Sequence, residues 1–158
     1  MSDISDTLIV RRARADELST VLYHRRQMYI DMGDDDMEAL DEMERASRDV
    51  FGDALRNGTY RGWFVESAGE VIAGGGVLLI PFQPSPRQPH PFRPFIVNVY
   101  TEPAYRRRGL ARRLLQEMVA WCRAEGYWAV SLHAAADGRS LYESLGFLPT
   151  NEMRLKLR

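Results

Sequence analysis

The turn at residues 106–109, Arg-Arg-Arg-Gly, constrains the fold more than any other segment, because it joins a strand pattern to a helix pattern. Residues 95–101 are mainly β-branched and aromatic, as in a strand. A helix is predicted over 110–123 by apolar side chains at helical spacing, namely Leu110, Leu114, Met118 and Trp121 or Cys122. The first N–H groups of a helix are unpaired, and the helix dipole adds partial positive charge there. The segment therefore predicts a phosphate or pyrophosphate site.

The pattern over the whole chain predicts one α/β domain spanning residues 1–158. Predicted strands lie at 7–12, 60–66, 71–80, 95–101, 127–133 and 147–157. Predicted helices run from 17 to 32, from the acidic stretch to about 55, and over 110–123 and 139–145. The order β-α-α-β-β-β-α-β-α-β predicts a mixed sheet with helices on both faces.

Two details of this pattern concern the middle of the chain. Three glycines at residues 74–76 interrupt a predicted strand, and glycine inside a strand indicates a bulge or a close approach of the backbone. Residues 81–94 contain six prolines and are predicted to form a loop.

Charge and cysteine content exclude several classes of protein. The formal net charge of −1 gives no general attraction to nucleic acid or membranes. No apolar run approaches the roughly 20 residues that span a bilayer, and the first residues carry acids where a signal peptide needs bases. The single cysteine, Cys122, excludes an internal disulfide. These features predict a cytoplasmic protein without a metal, nucleic-acid or membrane partner.

Two motifs resemble those of the GNAT (Gcn5-related N-acetyltransferase) family. Arg-x-x-Gly-x-Ala at 106–111 matches the family's Arg/Gln-x-x-Gly-x-Gly/Ala signature, and residues 100–105 resemble its fourth strand entering the pyrophosphate loop. Leu-Tyr-Glu-Ser-Leu-Gly-Phe at 141–147 resembles the family's Leu-Tyr-x-x-x-Gly-Phe element. The close likeness covers residues 95–147. It implies a GNAT fold and an N-acetyltransferase that moves an acetyl group from acetyl-coenzyme A (acetyl-CoA) to an amine by direct attack.

The resemblance also implies residue roles. Main-chain groups of Tyr100 and Thr101 would bind the acyl carbonyl and the pantetheine arm, and the amides of residues 107–111 would hold the pyrophosphate. Tyr142 would lie near the thioester sulfur and protonate the leaving thiolate, because an unperturbed tyrosine is protonated at neutral pH. The predicted cofactor-binding residues are Val99, Tyr100, Thr101, Arg106, Arg107, Arg108, Gly109, Leu110 and Ala111.

The chain departs from the family pattern in two places. Relatives often carry an asparagine before the tyrosine that touches the cofactor arm, but Ala135 and Ala136 stand there. Some relatives have a glutamate base early in the fourth strand, but residues 95–97 are Phe-Ile-Val. No direct base is evident, and a water-mediated route is left open through Asn98, Tyr100, Glu102 or the acidic N-terminal stretch.

The acceptor side of the sequence is less specific. Residues 31–44 contain eight acids and no base, which is typical of a solvated helix face or else of a surface that attracts a cationic amine. The predicted acceptor is a small-molecule or peptide amine, and the candidate substrate-binding residues are Tyr29, Asp34, Asp35 and Asn98. Many relatives pair through their sheets, so the resemblance implies a homodimer as one assembly.

Two other functions remain open at this point. The missing side-chain base leaves room for a non-catalytic domain that binds acyl-CoA as a sensor or structural partner. The arginine cluster is also compatible with a small nucleic-acid-binding module. The net charge and the lack of interleaved aromatic residues argue against that second alternative.

Overall fold

The computed structural model describes residues 7–158, which form four strands and four α-helices. In chain order these are β1 (Ile9–Arg12), α1 (Leu18–Asp31), α2 (Met37–Asn57), β2 (Tyr60–Ser67), β3 (Glu70–Pro81), β4 (Phe92–Thr101), α3 (Leu110–Ala124) and α4 (Arg139–Ser144). Short 3-10 turns precede α1, α3 and α4. None of the helices described is long and apolar enough to cross a lipid bilayer.

The strands form one antiparallel sheet in the order β1-β2-β3-β4, with helices on both faces. An apolar core lies on each face of the sheet. Strand β2 contributes side chains to both cores, because successive strand residues point to opposite faces. Tyr60 and Phe64 pack with residues of α1 and α2, whereas Trp63 and Val65 pack with the buried stripe of α3. The predicted α/β class is therefore confirmed. Truncating a fully buried residue such as Phe64 to alanine should destabilise the fold by about 3–5 kcal/mol.

The glycine triplet lets β3 approach buried side chains closely, as its sequence predicts. A Cβ on Gly74 would lie only 2.7 Å from Nδ1 of His24, and a Cβ on Gly76 would overlap the ring of Tyr60. Both side chains belong to the core that α1 and α2 cover, so the glycines set how closely that layer packs on the sheet.

A bulge in β4 lies opposite the same glycines. Gly76 pairs with Val97 and Gly74 pairs with Tyr100, so two β4 residues stand opposite a single residue of β3. One of the two is Asn98, whose φ of 61° is left-handed. Such a bulge bends the strand and interrupts its ladder of hydrogen bonds. The bend lies midway along β4, on the strand that runs toward the arginine turn.

The structure differs from the sequence prediction at the two last strands. Residues 127–133 make only one parallel bridge, between Ser131 and Phe95, with Ser131 bonded on either side to Pro94 and Ile96. Further pairing would reach Asn98, whose left-handed backbone cannot extend the ladder. Residues 147–157 form no strand. Phe147 packs against the core, but the apolar side chains of residues 148–157, including Leu155, are largely exposed, and this segment pairs with no strand among residues 7–158.

The proline-rich loop is shorter than predicted. β3 continues to Pro81 and β4 begins at Phe92, because residues 92–94 pair with residues 79–81. A hydrogen bond from the Phe82 N–H to the Pro91 carbonyl, 2.9 Å long, closes the base of the loop. The connection that remains covers residues 82–91.

Candidate active site

A cleft of about 800 Å³ opens beside β4. Helix α1 and the residue that follows it contribute one face, which we call the α1 wall. It is formed by Arg25, Met28, Tyr29 and Met32, which are spaced three and four residues apart. Residues 105–111, at the turn into α3, form a second face that we call the loop wall, and all of them except Arg108 line the cleft. The second half of β4 forms the floor, and Leu141 and Tyr142 of α4 complete the lining.

The loop wall presents main-chain donors. Arg107 and Gly109 both have left-handed backbone, with φ of 63° and 76°, which turns the chain sharply into α3. No main-chain acceptor in residues 7–158 pairs with the N–H groups of residues 107–111. A run of unpaired amides at a helix start, with arginines beside it, is the arrangement that binds phosphate groups. The predicted pyrophosphate loop therefore has suitable geometry.

Arg106 has partners of its own within the protein. Its Nε donates to the Thr101 carbonyl at 2.9 Å, and its Nη2 lies 2.5 Å from a carboxylate oxygen of Asp31 at the end of α1. The side chain also lies over the ring of Tyr100. Arg106 thus ties α1 to the end of β4, and its predicted contact with the cofactor stays a prediction. Arg107 and Arg108 are exposed and make no ion pair with another described residue.

The end of β4 carries three of the predicted cofactor-binding residues, Val99, Tyr100 and Thr101, all of which line the cleft. The Tyr100 ring is buried, and its hydroxyl donates to Glu102 at 3.4 Å. Burial first, and the nearby Glu102 carboxylate second, raise the pKa of Tyr100 to about 12. A hydrogen bond to Glu102 also raises the pKa of Tyr23. Both phenols therefore remain protonated at neutral pH, and neither serves as a base.

Tyr142 lies in the cleft lining on α4, half-buried and packed edge-on against Phe147 at a ring distance of 6.0 Å. Burial raises the pKa of Tyr142, so its hydroxyl keeps its proton at neutral pH. A hydrogen bond of 2.9 Å from Arg112 to Ser144 ties α4 to α3. The position and the protonation state suit a proton donor, although contact with a thioester stays a prediction.

Arg25 is the residue that the sequence prediction missed. It stands in an otherwise apolar stripe of α1, and that single charged position is the signal that could have identified it. Its guanidinium donates to Asn98 Oδ1 at 3.0 Å, to Ser47 Oγ at 3.2 Å and to the Tyr29 hydroxyl at 3.4 Å.

The Asn98 amide is bonded at both ends. Its Oδ1 accepts from Arg25, and its Nδ2 donates to the buried Tyr60 hydroxyl at 3.3 Å. Burial raises the pKa of Tyr60 to about 12. This network fixes the left-handed residue of the β4 bulge and joins α1, α2, β2 and β4.

The candidate acceptor residues fall into two groups. Tyr29 and Asn98 line the cleft, whereas Asp34 and Asp35 are exposed and lie outside its lining. The next residue, Asp36, caps α2 by accepting from the Ala39 N–H at 3.1 Å. A role for Asp34 and Asp35 in binding substrate stays a prediction.

Cys122 and His24 also have shifted pKa values, and neither lies in the cleft lining. Burial raises the pKa of Cys122 in the α3 core to about 11, so the side chain remains a thiol. Burial lowers the pKa of His24 to about 4, and that ring packs against Tyr100 and Phe64. Among residues 7–158, no group of three or more His, Cys, Asp or Glu side chains is placed to hold a metal ion.

The chain is similar to known acetyltransferases in sequence and fold. The model of the acetyltransferase (GNAT) family matches residues 24–147. A GCN5-related N-acetyltransferase from Ralstonia eutropha JMP134 is 32% identical, with a TM-score of 0.89 over 96% of this chain and 99% of that one. A predicted acetyltransferase from Clostridium acetobutylicum, solved with acetyl-CoA, is 27% identical, with a TM-score of 0.83 over 96% of each chain.

A curated relative matches over a shorter stretch. This is an aminoglycoside N(6')-acetyltransferase type 1 from Acinetobacter genomosp. 13, which is 34% identical over 62 residues. The match covers 37% of this chain and 42% of that protein, so less than half of the relative's length is spanned.

Proposed function

The chain belongs to the acetyltransferase (GNAT) family, and from that premise we propose that it transfers the acetyl group of acetyl-CoA to the amine of a small-molecule acceptor. The observation that carries the proposal is the run of unpaired amides at residues 107–111, which borders the same cleft as Tyr142. A binding site for a pyrophosphate and a proton donor for a leaving thiolate are the two parts that this reaction needs.

In the proposed complex, the amides of residues 107–111 donate hydrogen bonds to the pyrophosphate oxygens of acetyl-CoA, and the arginines beside them add positive charge. Main-chain groups at the end of β4 hold the pantetheine arm. The Clostridium acetobutylicum structure with acetyl-CoA supports this cofactor.

The acceptor's neutral amine nitrogen attacks the thioester carbonyl carbon, and a tetrahedral intermediate forms. A main-chain N–H at the end of β4 stabilises its oxyanion. The amine then loses a proton to water, the carbon–sulfur bond breaks, and the thiolate takes a proton from Tyr142. The products are the N-acetylated acceptor and free coenzyme A, and solvent returns a proton to Tyr142.

We assign the base to water because the acids at the ends of α1 and β4, Asp31 and Glu102, already have partners. Asp31 pairs with Arg106, and Glu102 is bonded to tyrosine hydroxyls. Asn98, another candidate for relaying a proton, has both ends of its amide engaged. The reaction should then speed up with pH as more acceptor amine becomes neutral.

Turnover with a panel of primary amines tests the proposal, with free thiol measured by colorimetry and the acetylated product by mass spectrometry. We expect equal amounts of thiol and N-acetylated product. A folded protein that binds acetyl-CoA but acetylates no amine would contradict the proposal and favour the acyl-CoA sensor. Thiol release without acetylated product would indicate hydrolysis instead.

A further inference from the structure

We propose that the acceptor carries a carboxylate or similar anionic group on an apolar body, and that Arg25 binds this group. The inference rests on the proposed function and specifies its acceptor. It follows from one guanidinium in the α1 wall, the neutral partners around it, and the pairing of the acids nearby.

Arg25 lacks the counter-ion that a partly buried charge normally has. Within residues 7–158, no carboxylate oxygen lies within 4.0 Å of its guanidinium, and its three hydrogen-bond acceptors are neutral. The next residue, Arg26, faces away from the cleft and pairs with Asp41 and Glu44 at 2.9 and 3.0 Å. A guanidinium in a cleft with only neutral partners is suited to an anionic ligand.

The guanidinium also has donors to spare. An arginine side chain has five N–H donors, and three bonds from Arg25 are made to protein acceptors. Two donors remain for a carboxylate, which binds arginine well because two of its oxygens can accept in parallel. The network with Ser47 and Asn98 holds the guanidinium in place before any ligand arrives.

The acids of the cleft offer little to a cationic acceptor. Asp31 pairs with Arg106, and Glu152 lies 3.5 Å from Arg154. The remaining carboxylate in the lining, Asp137, belongs to the short turn before α4. Around Arg25, the α1 wall presents Met28, Tyr29 and Met32. An amine with a carboxylate and an apolar portion, such as an apolar amino acid, fits this charge pattern better than a polycationic acceptor does.

Arg25 could instead serve only to hold Asn98 in the bulge, and the two roles have different consequences. A purely structural residue would affect every acceptor equally, and would alter acetyl-CoA binding and stability as well. A residue that binds the acceptor's carboxylate would affect only those acceptors that carry one. The comparison of matched acceptors therefore separates the roles.

The test measures kcat/KM for matched pairs of apolar amino acids and their amides, such as leucine and leucinamide. The reference is 3-methylbutylamine, which has the same apolar chain and amine as leucine but no carboxylate. Values are expressed per neutral amine, because the amines differ in pKa. We expect the carboxylates to be preferred by about 10- to 100-fold, the usual contribution of hydrogen bonds to a charged group. Arg25→Gln should remove that preference through KM, and Arg25→Lys should restore part of it.

Any loss that either variant causes through the Asn98 network should fall equally on carboxylates and amides, so the measured quantity is the ratio of their kcat/KM values. Arg26→Gln, at the neighbouring arginine that pairs with α2 and lies outside the cleft lining, is the matched control and should keep the wild-type preference. A preference for the amides or the plain amine, or an equal loss on every acceptor in Arg25→Gln, would overturn the inference and leave the acetyltransferase proposal intact. Acetylation of no amine at all would overturn both.

Discussion

The loop wall and the α1 wall of the cleft are built in opposite ways. The loop wall consists of consecutive residues, with exposed arginines and unpaired main-chain N–H groups. The α1 wall depends on side chains at residues 25, 47, 60 and 98, which come from four different elements and are mostly buried. In the proposed complex, the backbone of the loop wall holds the cofactor, whereas side chains of the α1 wall select the acceptor.

The largest effect should come from Tyr142, which acts between the two walls. Tyr142→Phe removes the proposed proton donor to the leaving thiolate, and we expect kcat to fall by about 10²–10⁴-fold. The KM for acetyl-CoA should barely change, because the ground state is held by main-chain groups. Steady-state kinetics with thiol detection provides the measurement.

Thermal stability is the control for this variant. A melting temperature near that of the wild type is expected, since no hydrogen bond from the Tyr142 hydroxyl to another described residue is present. Full activity in the phenylalanine variant, or a loss that follows a loss of folding, would exclude the assignment. A tenfold effect or less would make water the proton donor.

The free energy of unfolding should decrease in acid because of His24, which is buried on α1. Burial lowers the pKa of His24 to about 4 in the folded protein, whereas its pKa in the unfolded chain is about 6.5. Below this value the unfolded state gains a proton that the folded state does not bind. The contribution of neutral His24 to stability is therefore complete above about pH 6.5. As the pH falls toward 4, this contribution is lost and the free energy of unfolding decreases by about 3 kcal/mol.

Urea unfolding of the wild type and His24→Gln between pH 7 and 4 measures this contribution. The glutamine variant does not titrate there, so its stability should fall less steeply over that range. Parallel curves for the two proteins would show that His24 is protonated in the folded state, contrary to this account of the α1 core.

Removing one main-chain N–H from residues 107–111 should weaken the binding of acetyl-CoA at the loop wall. Ala111→Pro lies in the first turn of α3, where proline is tolerated because that N–H has no helical acceptor. We expect acetyl-CoA affinity to fall by about 10- to 100-fold, as for a lost bond to a charged group. Calorimetry measures the change.

Ala111→Gly is the matched control, since it keeps the amide while lowering helix propensity. It should bind acetyl-CoA nearly as well as the wild type. Equal losses in both variants, or none in a folded proline variant, would argue that arginine side chains rather than amides hold the pyrophosphate.

The smallest effect should come from the exposed acids. Asp34→Asn with Asp35→Asn removes two charges outside the cleft lining, and exposed charges contribute at most about 1 kcal/mol. The sign identifies the acceptor. For an anionic acceptor its KM should fall slightly, by less than about fivefold, and the change should vanish at high salt.

A rise in KM at low salt would instead support the attraction of a cationic amine and would weigh against the role of Arg25. Glu38→Gln, also exposed and outside the cleft lining, is a control for the general effect of charge on α2.

The sequence predicts the loop wall well because its residues are contiguous. The strand, the turn and the stripe of α3 all stand where the pattern indicates, and the stripe includes Leu110, Leu114, Met118 and Cys122. The network around Arg25 could not be predicted in the same way, because its members are distant in sequence and no local pattern joins them. The prediction of a strand at 127–133 is wrong for a related reason, because the pairing of that segment with β4 depends on the backbone of Asn98.

A crystal structure with coenzyme A tests the central claim most directly, namely that the backbone of the loop wall holds the cofactor beside Tyr142. We expect the pyrophosphate oxygens to lie about 2.7–3.2 Å from the amide nitrogens of residues 107–111. We also expect the Tyr142 hydroxyl to lie within hydrogen-bonding distance of the sulfur. A pyrophosphate bound only by arginine side chains, or a sulfur remote from Tyr142, would contradict the claim.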